Sequence, residues 1–320
     1  MRASKFLSLF FAVATLIISS GCAPKNPLPL NNNYSSSKIN LPFVAPRSKL
    51  CASTSIEMVS SYWQTRTPYS PLLSLLELDA RTLIPAKGGT LQIELIVAAR
   101  ANRMLVYPIE PTFDALICEL SEHHPVIVLV NRSYSWYPLW HYAPVAGYDA
   151  KAQTILMHFG DTPNEAVPIR TFAALWERSG NWGVVLLPPT QLPASATPEK
   201  FLRAAYDLEK IGMTNEAIIA YETALTRWPD YIPTLFALGN AYYNSLQIRK
   251  AEEVYRYILL IDIKYPYALN NLADLLCHTG RSDEALELLD RVVIDDDAIQ
   301  TLIKNTRKDI NSGCPPFIEK

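Results

Sequence analysis

The spacing of hydrophobic residues separates a mixed segment, residues 41–189, from a helical segment that follows it. Helical spacing comes first in the mixed segment, in three groups: Ile56, Val59 and Tyr62; Leu72, Leu75 and Leu76; and Leu91, Leu95 and Ala98. Runs of strand character follow at 104–107, 126–130, 142–148, 154–158 and 183–187. This order predicts an α+β domain whose N-terminal helices pack on a mostly antiparallel sheet.

A repeat of 34 residues fills the helical segment. Four positions keep this spacing in three successive copies: Ala217, Ala251 and Ala285; Tyr221, Tyr255 and Leu289; Gly212, Leu246 and Gly280; Ala224, Ile258 and Val292. Such a period, with small residues where two helices cross, is the signature of tetratricopeptide repeats. We therefore predict a linker at 190–197, an all-α array of three repeats at 198–293, and a capping helix with a tail at 294–320.

The first 21 residues have the pattern of a secretory signal. Arg2 and Lys5 precede an apolar run at 6–18, which is shorter than the ~20 residues that a membrane span needs. The sequence Ser-Ser-Gly-Cys that ends at Cys22 resembles the bacterial lipobox, and this resemblance implies that Cys22 is acylated. A signal that is cleaved beside an incidental cysteine is the alternative.

Residues 22–40 are rich in proline, asparagine and serine, which predicts a flexible tether that starts at the acylated Cys22. Ala23, rather than an aspartate, follows the cysteine. By resemblance to sorted lipoproteins, this favours the outer membrane. The expected location is the bacterial cell envelope, with a lipid anchor in the membrane and the protein facing the periplasm.

Charge and cysteine spacing exclude two classes of function. The chain has a net charge of −2, and without Arg2 and Lys5 of the signal it retains 27 basic and 31 acidic residues. Since no basic excess exists, no nucleic-acid partner is expected. The five cysteines are Cys22, Cys51, Cys118, Cys277 and Cys314. Their scattered spacing suggests neither a metal site nor a cofactor, and it assigns no disulfide.

Cys51 is the candidate nucleophile. It opens a predicted helix, where the helix dipole would lower the pKa of the thiol and favour the thiolate. His141, at the mouth of a predicted strand, is the candidate base, and Asp161 is the nearest acid that could orient its ring. His158 and Asn131 are weaker candidates for that third position. An inert buried thiol at Cys51 and a surface aspartate at Asp161 are the structural alternatives.

Residues 41–189 resemble the papain-like peptidases of the bacteriocin leader-processing type, most of all lipoproteins that fuse such a domain to tetratricopeptide repeats. The matching stretches are 41–43, Cys51 at a helix start, 89–94, 124–129, 140–142, 147–149 and 186–189. The resemblance implies hydrolysis of peptide bonds by a Cys51–His141 dyad. The sequence differs from the family pattern at the nucleophile. The family has Cys-Gly-Pro-Ala there and a glutamine shortly before the cysteine. Here Cys51 is followed by Ala-Ser-Thr, and Ala45 to Leu50 contain no glutamine, although Arg47 or Lys49 could act electrostatically.

The sequence therefore predicts a lipid-anchored cysteine peptidase that cleaves a peptide or protein, with repeats that bind a protein partner. A peptidase fold without activity, which serves as a protein-binding scaffold, is the alternative. Thioester transfer to an amine by the same dyad is a further possibility. The aromatic segment 134–140 could either line a peptide groove or pack over the sheet.

Overall fold

The computed structural model describes residues 35–45, 51–65, 91–290 and 296–317. The predicted signal, Cys22 and most of the tether lie outside the described residues. So do Arg47 and Lys49, and the helix predicted around Leu72 to Leu76. In the part of the chain that the structure describes, no helix is both long and apolar enough to cross a membrane.

An antiparallel sheet forms the centre of the first domain. Its strands are β1 (Ser37–Lys38), β2 (Leu105–Pro108), β3 (Val126–Asn131), β4 (Trp140–Asp149), β5 (Thr154–Phe159), β6 (Thr162–Pro168) and β7 (Gly183–Leu187). Their order is β2-β7-β3-β4-β5-β6, and β1 pairs with the far end of β4. The predicted α+β class and the antiparallel pairing are confirmed. The hydrophobic pattern missed β6, because most of its residues are exposed and it carries little apolar signal.

Gly147 allows β1 to join the sheet. Its φ of +147° is rarely adopted by residues with a side chain, and a Cβ there would lie 2.2 Å from the backbone oxygen of Ser37. The N–H of Ile39 then donates to the carbonyl of Ala146 at 2.7 Å. The end of the segment predicted as a tether is therefore held on the sheet, at the end of β4 opposite Trp140.

Helices cover the sheet and close its core. They are α1 (Cys51–Tyr62), α2 (Gln92–Ala101), α3 (Phe113–Ser121) and α4 (Ile169–Glu177). Helix α1 places Ala52, Ile56 and Val59 in the core, and it packs on β4. Because α1 is held against β4, the position of its first residue is set by the packing of the whole domain.

The predicted repeats form helical hairpins. Their helices are α5 (Pro198–Lys210), α6 (Thr214–Arg227), α7 (Ile232–Asn244), α8 (Ile248–Ile261), α9 (Pro266–His278) and α10 (Ser282–Asp290), followed by α11 (Asp297–Ser312). Ala217, Ala251 and Ala285, which the period singled out, are fully buried. Helix α11 packs on α9 and α10.

Gly239 sets the distance between α7 and α8. A Cβ at this position would lie 2.6 Å from Cε1 of Tyr255, whose buried ring is held by a hydrogen bond from its hydroxyl to Asn240. We expect Gly239→Ala to lower the free energy of unfolding by about 1–3 kcal/mol, despite the better helix propensity of alanine. Urea denaturation checks this. Gly239→Ala should cost less in a Tyr255→Leu background, and equal costs in both backgrounds would contradict the steric cause.

Glu119 fixes the linker between the two domains. Its buried carboxylate accepts hydrogen bonds from the N–H groups of Ala194 and Ser195, at 3.0 and 2.8 Å, and from the Ser195 hydroxyl. It also pairs with Nδ1 of His124 at 2.8 Å. The segment that was predicted from its composition as a linker is therefore held against the first domain.

Helix α5 completes the contact between the domains. Arg100 of α2 forms an ion pair of 2.6 Å with Asp207 of α5, and Arg103 contacts Glu216 of α6 at 3.2 Å. Hydrophobic residues of α5 and of the sheet belong to one continuous core. The repeats therefore start from a defined position on the first domain.

Candidate active site

Cys51 is the first residue of α1 and is half-buried against β4. The backbone N–H groups of Tyr142, Ala52 and Cys51 itself are within hydrogen-bonding reach of the thiol, and each favours the thiolate. Burial outweighs them and raises the pKa of Cys51 above its ordinary value. The expectation that the helix N-terminus would lower this pKa is therefore wrong in this structure, because desolvation is the larger effect.

His141 is the second residue of β4 and is adjacent in sequence to Tyr142, whose amide reaches the Cys51 thiol. Its ring meets the edge of the Phe159 ring at 5.4 Å between centroids, and the Arg132 guanidinium lies over the same phenylalanine at 4.7 Å. Burial, assisted by the positive charge of Arg132, lowers the pKa of His141 to about 4. The imidazole is therefore neutral at neutral pH.

The ring nitrogen Nε2 of His141 is engaged by a donor. The N–H of Gly160 approaches it at 3.3 Å, so Nε2 carries the lone pair and the proton of the neutral ring lies on Nδ1. Among the described residues, no hydrogen bond joins Cys51 Sγ to His141. The thiol and the imidazole are thus a neutral pair, and the imidazole lone pair that a base would use is already occupied.

Asp161 follows Gly160 in the turn between β5 and β6, and its side chain is exposed. In the described part of the chain no hydrogen bond or ion pair joins its carboxylate to His141 or to another side chain. The group that holds the His141 ring is instead the amide of Gly160. Sequence reasoning reached the correct turn, but it could not show that a backbone donor would occupy the place expected for a carboxylate.

His158, a weaker candidate for the third position, is fixed by other contacts. Its Nδ1 accepts from the N–H of Asn164 at 3.0 Å, so its Nε2–H donates to the carbonyl of Leu41, also at 3.0 Å. Burial lowers its pKa. Both nitrogens are occupied, so His158 ties the segment before Cys51 to β5 rather than orienting His141.

Asn131, the other weaker candidate, organises the loop between β3 and β4. Its side-chain oxygen accepts from the N–H groups of Ser133 and Leu139, at 3.0 and 2.9 Å. This loop carries the exposed side chains of Tyr134, Trp136, Tyr137 and Leu139, and the exposed Trp140 follows as the first residue of β4. The aromatic residues therefore do not pack over the sheet, and the aromatic loop ends at the residue before His141.

Within the described ranges, no cluster of histidine, cysteine, aspartate or glutamate side chains is arranged to hold a metal ion. The segment in which the family pattern has its glutamine, 45–50, lies outside the described residues except for Ala45. The amides at the start of α1 are the donors that the structure places at the thiol.

The fold and the site define a papain-like domain, in which a cysteine at a helix N-terminus faces the strand that carries a histidine. Residues 36–184 match the model of the Peptidase_C39 like family. The chain therefore contains a domain of this family, joined to tetratricopeptide repeats. No curated protein matches the chain.

Solved structures match the repeats. A tetratricopeptide repeat protein from Parabacteroides merdae is 18% identical over 36% of this chain and 46% of that protein, with a TM-score of 0.33. The chain thus covers less than half of that protein. The Yersinia enterocolitica secretion chaperone SycD, solved with a peptide of the translocator YopD, is 18% identical over 36% of this chain and 92% of its own, with a TM-score of 0.33. The Arabidopsis OM64 repeat domain is 18% identical over 35% of this chain and 94% of its own, with a TM-score of 0.31.

Proposed function

We propose that the chain is a cysteine peptidase that hydrolyses amide bonds of a peptide or protein, with Cys51 as nucleophile and His141 as base. One observation carries this proposal. Cys51 opens a helix that packs on β4, and the amide of Tyr142, the neighbour of His141, reaches its thiol. In a domain of the Peptidase_C39 like family, this placement supports Cys51 as the nucleophile.

The reaction would proceed by acyl transfer to sulfur. Cys51 Sγ attacks the carbonyl carbon as His141 takes the thiol proton, and the resulting tetrahedral intermediate expels the amine, which receives that proton. Water then attacks the thioester with His141 as base, which releases the acid and restores the thiol. The N–H groups at the start of α1 would stabilise the oxyanion.

Substrate binding would have to activate the site, because the free protein holds a neutral pair. The N–H of Gly160 must leave Nε2 of His141 before this nitrogen can accept a proton or pair with a carboxylate. A rotation of the turn that carries Gly160 would exchange this donor for the adjacent carboxylate. The ring proton would move from Nδ1 to Nε2 to pair with that carboxylate, which leaves Nδ1 to accept the thiol proton. We assign Asp161 this orienting role in the activated state.

The aromatic loop supports a peptide as the substrate. Its exposed rings lead directly to His141, and Tyr134 and Trp136 are stacked with their centroids 5.8 Å apart. Aromatic side chains bury large areas on binding at little entropic cost. The loop is therefore a surface on which an extended peptide with apolar residues could lie.

The chain would act in the bacterial cell envelope, anchored in the outer membrane by an acylated Cys22 and facing the periplasm. The signal-like first 21 residues support this. So does the disulfide between Cys277 and Cys314, because such bonds form and persist in oxidising compartments. The repeats would bring a protein partner or the substrate to the site.

A peptidase fold without activity, which acts as a scaffold, is the second candidate. The neutral thiol and the occupied Nε2 of His141 favour it, as does the absence of a glutamine before Cys51. The two candidates differ in one property. A peptidase must activate Cys51 when a peptide binds, whereas a scaffold has no reason to do so.

A peptide-linked epoxide tests the proposal in the soluble chain that starts at residue 23. We expect intact mass and peptide mapping to show one adduct, on Cys51, formed faster than by an epoxide of equal reactivity without the peptide. Cys118, which is free and exposed, is the internal control. Equal rates for the two epoxides at Cys51, or labelling of Cys118 alone, would favour the scaffold.

A further inference from the structure

The C-terminal tail of the chain, residues 313–317, folds back onto the repeats. Its Cys314 forms a disulfide with Cys277 near the end of α9. The carbonyl of Pro315 accepts a hydrogen bond from Nδ1 of His278. The ring of Phe317 packs against those of Tyr243 and His278, with centroids 5.5 and 5.1 Å apart. The tail therefore contacts both α9 and α7.

The tail lies beside a polar cavity between the same two helices. This cavity, which we call the repeat groove, has a volume of about 280 Å³ and is lined by Asn240, Tyr243, Asn244, Tyr255, Asn271 and Asp274. Tyr243 belongs to both features, since it lines the groove and contacts Phe317. The side chain of Asp274 accepts from the Tyr243 hydroxyl and lies 3.6 Å from Nε2 of His278. The groove and the seat of Phe317 are thus one continuous surface.

Two kinds of chemistry meet on this surface. Amide side chains can accept and donate hydrogen bonds to an extended backbone, and Asn271 already donates to Asn240 across α9 and α7 at 2.8 Å. The rings of Tyr243 and His278 form a seat for one aromatic side chain. A peptide that suits both would carry an aromatic residue after a proline-rich stretch, as the tail itself does.

We infer that the repeat groove and the adjoining seat of Phe317 bind such a peptide of a partner protein, and that the tail occupies this seat and excludes the peptide while the Cys277–Cys314 disulfide is formed. A covalent tether keeps Phe317 at its seat at a high effective concentration, so a free peptide competes poorly. Reduction by a dithiol opens the groove. The dithiol gives two electrons and two protons to the two sulfurs and leaves as its own disulfide.

The test uses the soluble chain and a labelled peptide of the tail's own sequence with serine at the cysteine, Gly-Ser-Pro-Pro-Phe. Fluorescence anisotropy compares the oxidised chain with a Cys314→Ser, Phe317→Ala variant, in which neither the bond nor the ring holds the tail. We expect the variant to bind at least about tenfold more tightly than the oxidised chain. The control peptide Gly-Ser-Pro-Pro-Ala should bind to neither. Thermal unfolding of the variant checks that the repeats remain folded.

A second readout traps the peptide in place. Cys277 is 3% exposed, so it should form a mixed disulfide with the peptide Gly-Cys-Pro-Pro-Phe only when the peptide lies where the tail does. We expect this adduct by intact mass in the Cys314→Ser, Phe317→Ala variant, and its loss when Tyr243→Ala is added. Equal binding to the oxidised chain and to the variant would overturn the inference. So would a folded variant that neither binds nor traps the peptide.

Discussion

Replacing His141 with alanine should slow the reaction of Cys51 with a peptide-linked epoxide by about 10²–10⁴-fold, the usual contribution of a general base. The same substitution should leave the reaction with iodoacetamide unchanged. In the free protein the imidazole is neutral and burial raises the pKa of the thiol, so His141 does not create the thiolate that a small reagent meets. Stopped-flow labelling followed by peptide mapping of Cys51 measures both rates.

The pH dependence of the two labelling rates distinguishes the protonation of Cys51 in the free protein from that in the protein with a peptide bound. Because the pKa of Cys51 is raised, its reaction with iodoacetamide should increase only at a pH above that of an ordinary thiol. His123→Asn is the control, since it removes an exposed imidazole from the same domain. If His141→Ala also slows iodoacetamide near pH 7, an ion pair already exists in the free protein. If it slows neither reagent, His141 is not the base.

Replacing Glu119 with alanine should lower the free energy of unfolding by about 3–5 kcal/mol, as expected when one partner of a buried charged network is removed. The variant leaves the amides of Ala194 and Ser195, and the ring of His124, without their acceptor. Urea denaturation followed by tryptophan fluorescence measures this. Glu122→Ala, an exposed glutamate next to the same helix, is the matched control and should change the stability by less than about 0.5 kcal/mol.

The stabilisation by Glu119 should depend on pH in a defined direction. Hydrogen bonds from His124 and Ser195 lower the pKa of Glu119 below its ordinary value, although burial opposes them. Its contribution is therefore complete above the ordinary pKa of a glutamate and is lost as the pH falls through the lower, folded-state pKa. The difference between the wild type and Glu119→Gln should shrink under acidic conditions. A difference that stays constant down to acid unfolding would contradict this assignment.

The order of the helices and strands could be predicted because it is a local property. The strand Gly183–Leu187 has the bounds that its apolar run indicated, and the 34-residue period located the buried alanines of the repeats. These features depend on which residues are buried, and the spacing of apolar residues along the chain predicts burial. Strand β6 could not be found in this way because most of its side chains remain exposed.

The state of the candidate site could not be predicted, since it depends on groups that are distant in sequence. The sequence placed Cys51 at a helix start, and the dipole argument then suggested a thiolate. Burial against β4 reverses that effect, and burial has no signature in a short motif. Likewise, an acid two residues from the end of β5 suggested a carboxylate at His141, where the fold places the amide of Gly160 instead.

The sequence by itself determined the two-domain plan, the fold class of each part and the choice of Cys51 and His141 as the residues to test. Periodicity and residue type were sufficient for this, because the spacing of apolar residues differs between the mixed segment and the 34-residue repeats. Only the tertiary structure decided that the thiol and imidazole are a neutral pair, that Glu119 fastens the linker, and that Cys277 pairs with Cys314 across the repeats. Each of these depends on distance and desolvation between residues that the fold alone brings together.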